Sequence, residues 1–171
     1  MDAPVEGFLY TVAEVAVAFA GFAGLVTVLT QRLAETQREF DIVRFRDMLL
    51  LSLIAGAFAL FPTLPASFGA NEEATWRVSS ALFLVAWIAF ALQGLFAGFR
   101  LSRSGTRPFS RPLFWSNLAV HIPAMIGLLL VVIDADPVAN LRSAMYLAAI
   151  FAMLYLAGAY FLALFMSLAR G

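Results

Sequence analysis

The fold class predicted is all-α: an integral membrane bundle of five transmembrane helices, with the N-terminus outside and the C-terminus inside. Three observations predict it. Of 171 residues, 63% are hydrophobic and 13% are charged, where soluble domains run about 45–50% apolar and about 25% charged. Mean hydropathy is +0.90. A fold this small leaves much of its surface outside its own core, so so much apolar side chain cannot all be hidden from water. The apolar residues also fall into five stretches of about the length that crosses a bilayer, roughly 20 residues each.

The five spans run over residues 8–30, 43–64, 78–99, 113–133 and 141–168. The chain is expected to form one transmembrane domain over 1–171, with no separate soluble domain. Span one begins after Asp2 and Glu6, acids where a cleavable signal would carry positive charge. Its helical wheel separates Phe8, Val12, Val15, Phe19, Phe22 and Val26 from Ala13, Ala16, Ala20, Ala23, Gly24 and Thr27. The small side should meet another helix backbone, since association in lipid rests on close approach. Span two ends at Pro62 and Pro65, which lack an amide donor and clash with the preceding turn. Its length therefore extends back to Val43, with Arg44 and Arg46 reaching for the interface. The stretch after it, FPTLPASFGANEE, reads as a helix terminator and loop or as a re-entrant element. Span three carries Gly94-x-x-x-Gly98, a close-packing motif. Span four holds Pro123, which leaves the Ala119 carbonyl without its helical partner. Span five is the longest, and stacks Ala144, Ala148, Ala152, Ala159 and Ala163 with Tyr155.

Arginine sets the orientation. All eleven basic residues are Arg. Nine lie on one side: Arg32, Arg38, Arg44, Arg46, Arg100, Arg103, Arg107, Arg111 and Arg170; only Arg77 and Arg142 lie on the other. Positive residues collect on the cytoplasmic side, and five spans require opposite termini. The loop carrying Arg100, Arg103, Arg107 and Arg111 contains no acid and is expected to lie on anionic lipid. The absence of Lys and the abundance of Ala suggest a bacterial source, hence the inner membrane, multi-pass.

Ionisable groups at membrane depth point to function. Glu14 stands six residues into span one, roughly 9 Å deep at the rise of a helix. It is expected at the edge of the small side, turned toward protein. His121 stands about 12 Å into span four from the inner boundary, with Asn117 one turn before it. Gln93 in span three matches the depth of Asn117, and Tyr146 in span five that of Glu14. These five make a candidate ion or proton pathway. They can equally be separate interhelical hydrogen bonds of about 1 kcal/mol each. Glu72, Glu73, Asp134 and Asp136 form an acidic rim on the outer side, able to gather cations.

Other chemistries find little support. With no Cys and one His, thiolate sites, disulfides and multi-histidine metal sites are excluded, and no metal or cofactor is expected. Phosphate loops, nucleophile elbows and zinc-protease runs are missing, so an enzyme is not expected. The arginines hug the membrane, which argues against nucleic acid. The expected function is a homo-oligomer in contact with membrane lipid that conducts or translocates protons or small cations. The alternative is an accessory, assembly or sensory subunit that transports nothing.

Overall fold

The computed structural model describes residues 3–30, 35–103, 111–135 and 140–168. Among these, every regular element is a helix: α1 (Ala3–Thr30), α2 (Glu35–Leu60), α3 (Thr63–Ser67), α4 (Glu72–Arg103), α5 (Arg111–Val132) and α6 (Arg142–Leu168). Five of the six are long and apolar enough to cross a membrane, over Val5–Phe22, Phe45–Ser67, Glu72–Phe96, Trp115–Val132 and Arg142–Met166. They coincide with the five expected spans. The helices themselves run past several of those bounds, because α2 and α4 continue into charged sequence that hydropathy alone cuts off.

The proline stretch after α2 resolves into one short helix. Pro62 has no amide to offer and stands at the N-cap of α3, where none is needed. Gly69 ends the turn at φ +80°, and the amides of Gly69 and Ala70 bond back to Ala66 and Pro65 at 3.0 Å each. That pair of bonds closes a helix around a left-handed residue. Asn71 then opens α4, its Oδ1 accepting from the Ala74 amide at 2.8 Å, as an N-cap should. Glu72 and Glu73 fill the first turn, where the helix dipole favours negative charge.

Contacts divide the chain into two compact units. The first comprises residues 1–61 and 150–171. Here α1 packs along α2. The buried stripe of α1 is Leu9, Val12, Ala13 and Ala16; that of α2 is Met48, Leu51, Ala55 and Ala59. Both follow the spacing of one helix face. The helices approach closely at Gly56, where an added Cβ would stand 3.2 Å from the Ala16 Cβ. The expected small side of α1 is thus used at Ala13 and Ala16, while Phe8, Val15 and Phe22 face outward. Val12 is the exception, buried among them. Phe151 and Phe161 of α6 add ring contacts to Phe8 and Phe22 at 5.3 and 6.1 Å.

The second unit comprises residues 62–149. In it α4 packs on α3 and α5, and the first turns of α6 bring Tyr146. Two small-residue surfaces are not used as expected. A Cβ at Gly94 would meet nothing within 4 Å. On α6, Ala144, Ala148 and Tyr155 are exposed and Ala152, Ala159 and Ala163 half-buried, and the buried face combines Tyr146, Ile150, Met153 and Leu164 with Ala149 and Ala157. A bulky face can fill a groove within the chain; a small one is left for other contacts.

Candidate functional site

The second unit is built around one face of α4. Trp76, Ser79, Ser80, Phe83, Trp87 and Phe90 are all buried, at the three- and four-residue intervals that align side chains along a helix. Large rings alternate with small hydroxyls on this face. Tyr146 of α6 packs between two of the rings, 5.5 Å from Trp76 and 5.6 Å from Phe83 by ring centroids. Phe83 in turn lies 5.4 Å from Trp87, and Trp87 lies 5.5 Å from His121. Such offset and edge-on pairs exceed their simple area burial by about 0.5–1.5 kcal/mol each.

The Trp87 indole N–H donates to His121 Nδ1. An imidazole nitrogen that accepts carries no hydrogen, so the proton of neutral His121 resides on Nε2. The bond ties α4 to α5 in the middle of the span. Pro123 lies inside the unbroken helix α5, two residues beyond.

The hydroxyls of Thr75, Ser79 and Ser80 are buried, and their oxygens have no hydrogen-bond partner among the described residues. A buried hydroxyl without a partner costs about 1–3 kcal/mol, and Ser and Thr in helices ordinarily satisfy themselves on the carbonyl one turn back. Ser52 of α2 does so, bonding the Met48 carbonyl at 2.9 Å. The three α4 hydroxyls do not.

Above them, the starts of α4 and α6 form a half-open surface cavity of about 480 Å³. Asn71, Glu72, Glu73 and Trp76 line it on one side; Asn140, Arg142 and Ser143 line it on the other. Its charges are partly engaged. Trp76 Nε1 donates to Glu72 at 3.3 Å, Arg77 bonds Glu73 at 3.2 Å, and Arg142 pairs with Asp134. Asp134 ends α5 in the left-handed region, at φ 54°. Its amide bonds Val131 at 3.2 Å and the Ala135 amide bonds Leu130 at 3.1 Å, closing that helix as Gly69 closes α3. This backbone turns the carboxylate toward the start of α6. The hydrogen bond from Arg142 is the main cause that holds Asp134 below the ordinary carboxylate value of 3.8.

The expected pathway residues separate. Glu14 belongs to the first unit; Gln93, Asn117, His121 and Tyr146 belong to the second. Glu14 is exposed, which differs from its expected inward position. The packing stripe of α1 runs through Leu9, Val12, Ala13 and Ala16, and successive residues turn by about 100°, so Glu14 falls on the opposite side. Gln93 is exposed as well, while Asn117 and His121 are half-buried and Tyr146 is fully buried. The aromatic column joins Tyr146 to His121 through Phe83 and Trp87.

Of the expected rim, Glu72 and Glu73 line the cavity with Arg142, Asp134 pairs with Arg142 and Arg77 with Glu73; Asp136 lies outside the described residues. The rim is therefore a mixed-charge surface rather than a uniformly acidic one. Of the basic loop, Arg100 and Arg103 lie on the last turns of α4, Arg111 is the first residue of α5, and Arg107 lies outside the described residues. No group of three or more His, Asp or Glu able to hold a metal occurs among the described residues.

One buried carboxylate escapes a reading of the sequence by span length. Asp47 on α2 is 4% exposed and pairs with its neighbour Arg46 at 2.9 Å. The available signal is the four-residue repeat Asp47, Leu51, Ala55, Ala59, which puts the acid at the head of the buried stripe.

Compared with known proteins, the chain matches no family model, no curated protein and no solved structure.

Proposed function

We propose that the chain is a multi-pass protein of a bacterial inner membrane that works as a homo-oligomer and passes protons or small cations. The observation that carries this reading is the set of partnerless hydroxyls on Thr75, Ser79 and Ser80, standing below a charged cavity on the same helix. Water satisfies buried polar groups of this kind. A hydrated file would reach from the cavity to Ser80, about 12 Å along α4 from Glu72 at the rise of a helix. Phe83, Trp87 and Tyr146 then form an apolar layer, the kind of constriction that gates by excluding water. With the N-terminus outside, as the arginines predict, the cavity opens outward. Glu14 takes part only where a neighbouring copy covers its side of α1.

The test is flux in liposomes containing the purified protein, under imposed pH and monovalent-cation gradients. The Ser79→Ala, Ser80→Ala double variant is expected to lower flux at least tenfold while its helicity and thermal transition are kept. Absence of flux in the wild type, across all gradients, overturns the proposal.

Two observations favour a second reading, an accessory or assembly subunit without transport. Trp87 already engages His121, and an outward carboxyl on a membrane-length helix calls for cover from another chain. In that case Glu14→Gln weakens assembly, measured as oligomer mass in detergent, and no flux exists to alter.

A further inference from the structure

The cavity between the starts of α4 and α6 holds opposite charges apart. Among the described residues, Arg142 pairs directly with Asp134, and neither Glu72 nor Glu73 forms an ion pair with it, although both act on it electrostatically across the space. A volume of about 480 Å³ is within the range of small-ligand sites. Each side retains bonding capacity. A carboxylate accepts at about four positions and a guanidinium donates five hydrogens; Glu72 is engaged by one indole, Glu73 by one arginine, and Arg142 directs its Nε and one terminal nitrogen to Asp134.

These charges select among ligands. A simple anion on Arg142 would be opposed by two carboxylates. A simple cation on Glu72 and Glu73 would be opposed by Arg142. A zwitterion satisfies both, with its ammonium on the carboxylates and its anionic group on the guanidinium. Asn71, Asn140 and Ser143 add neutral hydrogen-bonding groups along the wall. The position of the cavity agrees with this chemistry. The apolar windows of α4 and α6 begin at Glu72 and at Arg142, so the cavity lies where spanning sequence gives way to polar sequence, the level of lipid headgroups.

We infer that this cavity is a binding site for a zwitterion: a primary ammonium tethered by a short linker to a phosphate or carboxylate, supplied by a phosphatidylethanolamine headgroup or by a soluble molecule of the same kind. The site goes beyond the transport reading and does not depend on it, because occupancy is measured without a gradient.

The test uses the full chain in nanodiscs of phosphatidylglycerol with and without phosphatidylethanolamine, reading retained lipid by native mass spectrometry. Glycerophosphoethanolamine, added to protein in detergent and followed by calorimetry, reads the soluble source. Wild-type protein is expected to retain phosphatidylethanolamine at least tenfold over phosphatidylglycerol, or to bind the soluble probe saturably; which of the two occurs identifies the source. The Glu72→Gln, Glu73→Gln double variant is expected to lose that preference. Equal retention of both lipids with no binding of the soluble probe overturns the inference, as does a preference that survives the double variant. Should the double variant fail to fold, competition of the wild-type site by glycerophosphoethanolamine but not glycerophosphoglycerol decides instead.

Discussion

At the scale of single residues, the outcome turns on which neighbour each polar group finds. His121 is satisfied by one donor, the Trp87 indole. Trp87→Phe keeps an aromatic ring and removes that donor, leaving a part-buried imidazole nitrogen without it. Destabilisation of about 1–3 kcal/mol is expected, read as a lowered thermal transition in detergent. Asp134 supplies a pH test. Its carboxyl is held low by the hydrogen bond from Arg142, so the stabilisation is fully present above the unfolded value, near pH 4, and is lost as pH falls through the lower folded value. Asp134→Asn tolerates the same left-handed backbone and isolates the charge. Wild type is expected to melt above this variant from pH 5 to 7, with the gap narrowing as pH falls below about 4; a gap that does not narrow on acidification would refute the assignment. Such residue-level detail was only partly legible in the sequence. The depth of Glu14 follows from counting, but its direction depends on which face of α1 meets α2, and both faces of that helix are apolar.

At the scale of elements, the five long helices were readable because hydrophobic length is a property of the chain itself. The use of their faces was not, because it depends on a partner. Ala13 and Ala16 on α1 could be read as a packing surface, and Gly56 accepts them. Gly94 of α4 and the stack from Ala144 to Ala163 on α6 carry the same signal, yet a Cβ at Gly94 meets nothing within 4 Å, and the alanines buried on α6 are Ala149 and Ala157. The aromatic column was missed for a related reason: Trp76 near a span end reads as an interfacial ring, and only its contact with Tyr146 makes it part of a core. The Gly56 contact can be tested. An added Cβ there already stands 3.2 Å from Ala16, so Gly56→Leu must push α1 from α2. A cost of about 1–3 kcal/mol is expected for such overpacking, whereas Gly94→Leu, with nothing within 4 Å, should leave monomer stability unchanged. Comparing their thermal transitions checks the pair.

At the scale of the whole molecule, the division of charge is the strongest guide. Nine arginines against two are the basis for proposing a cytoplasmic C-terminus. A C-terminal reporter that fluoresces only in the cytoplasm is expected to be bright, and a periplasmic phosphatase fused there inactive; the reverse would invert the whole arrangement. The division into two units was not legible, since α6 is a single uninterrupted apolar helix that contributes to both.

The adjacency of Arg46 and Asp47 bears on how the protein is made. The acid lies at the head of a greasy stripe, and its counter-ion is its immediate neighbour in the chain. The two therefore arrive together from the ribosome, and their opposite charges offset each other without waiting for any other helix to be synthesised. On the proposal that α2 spans a membrane, the segment is locally balanced in charge before the rest of the chain exists.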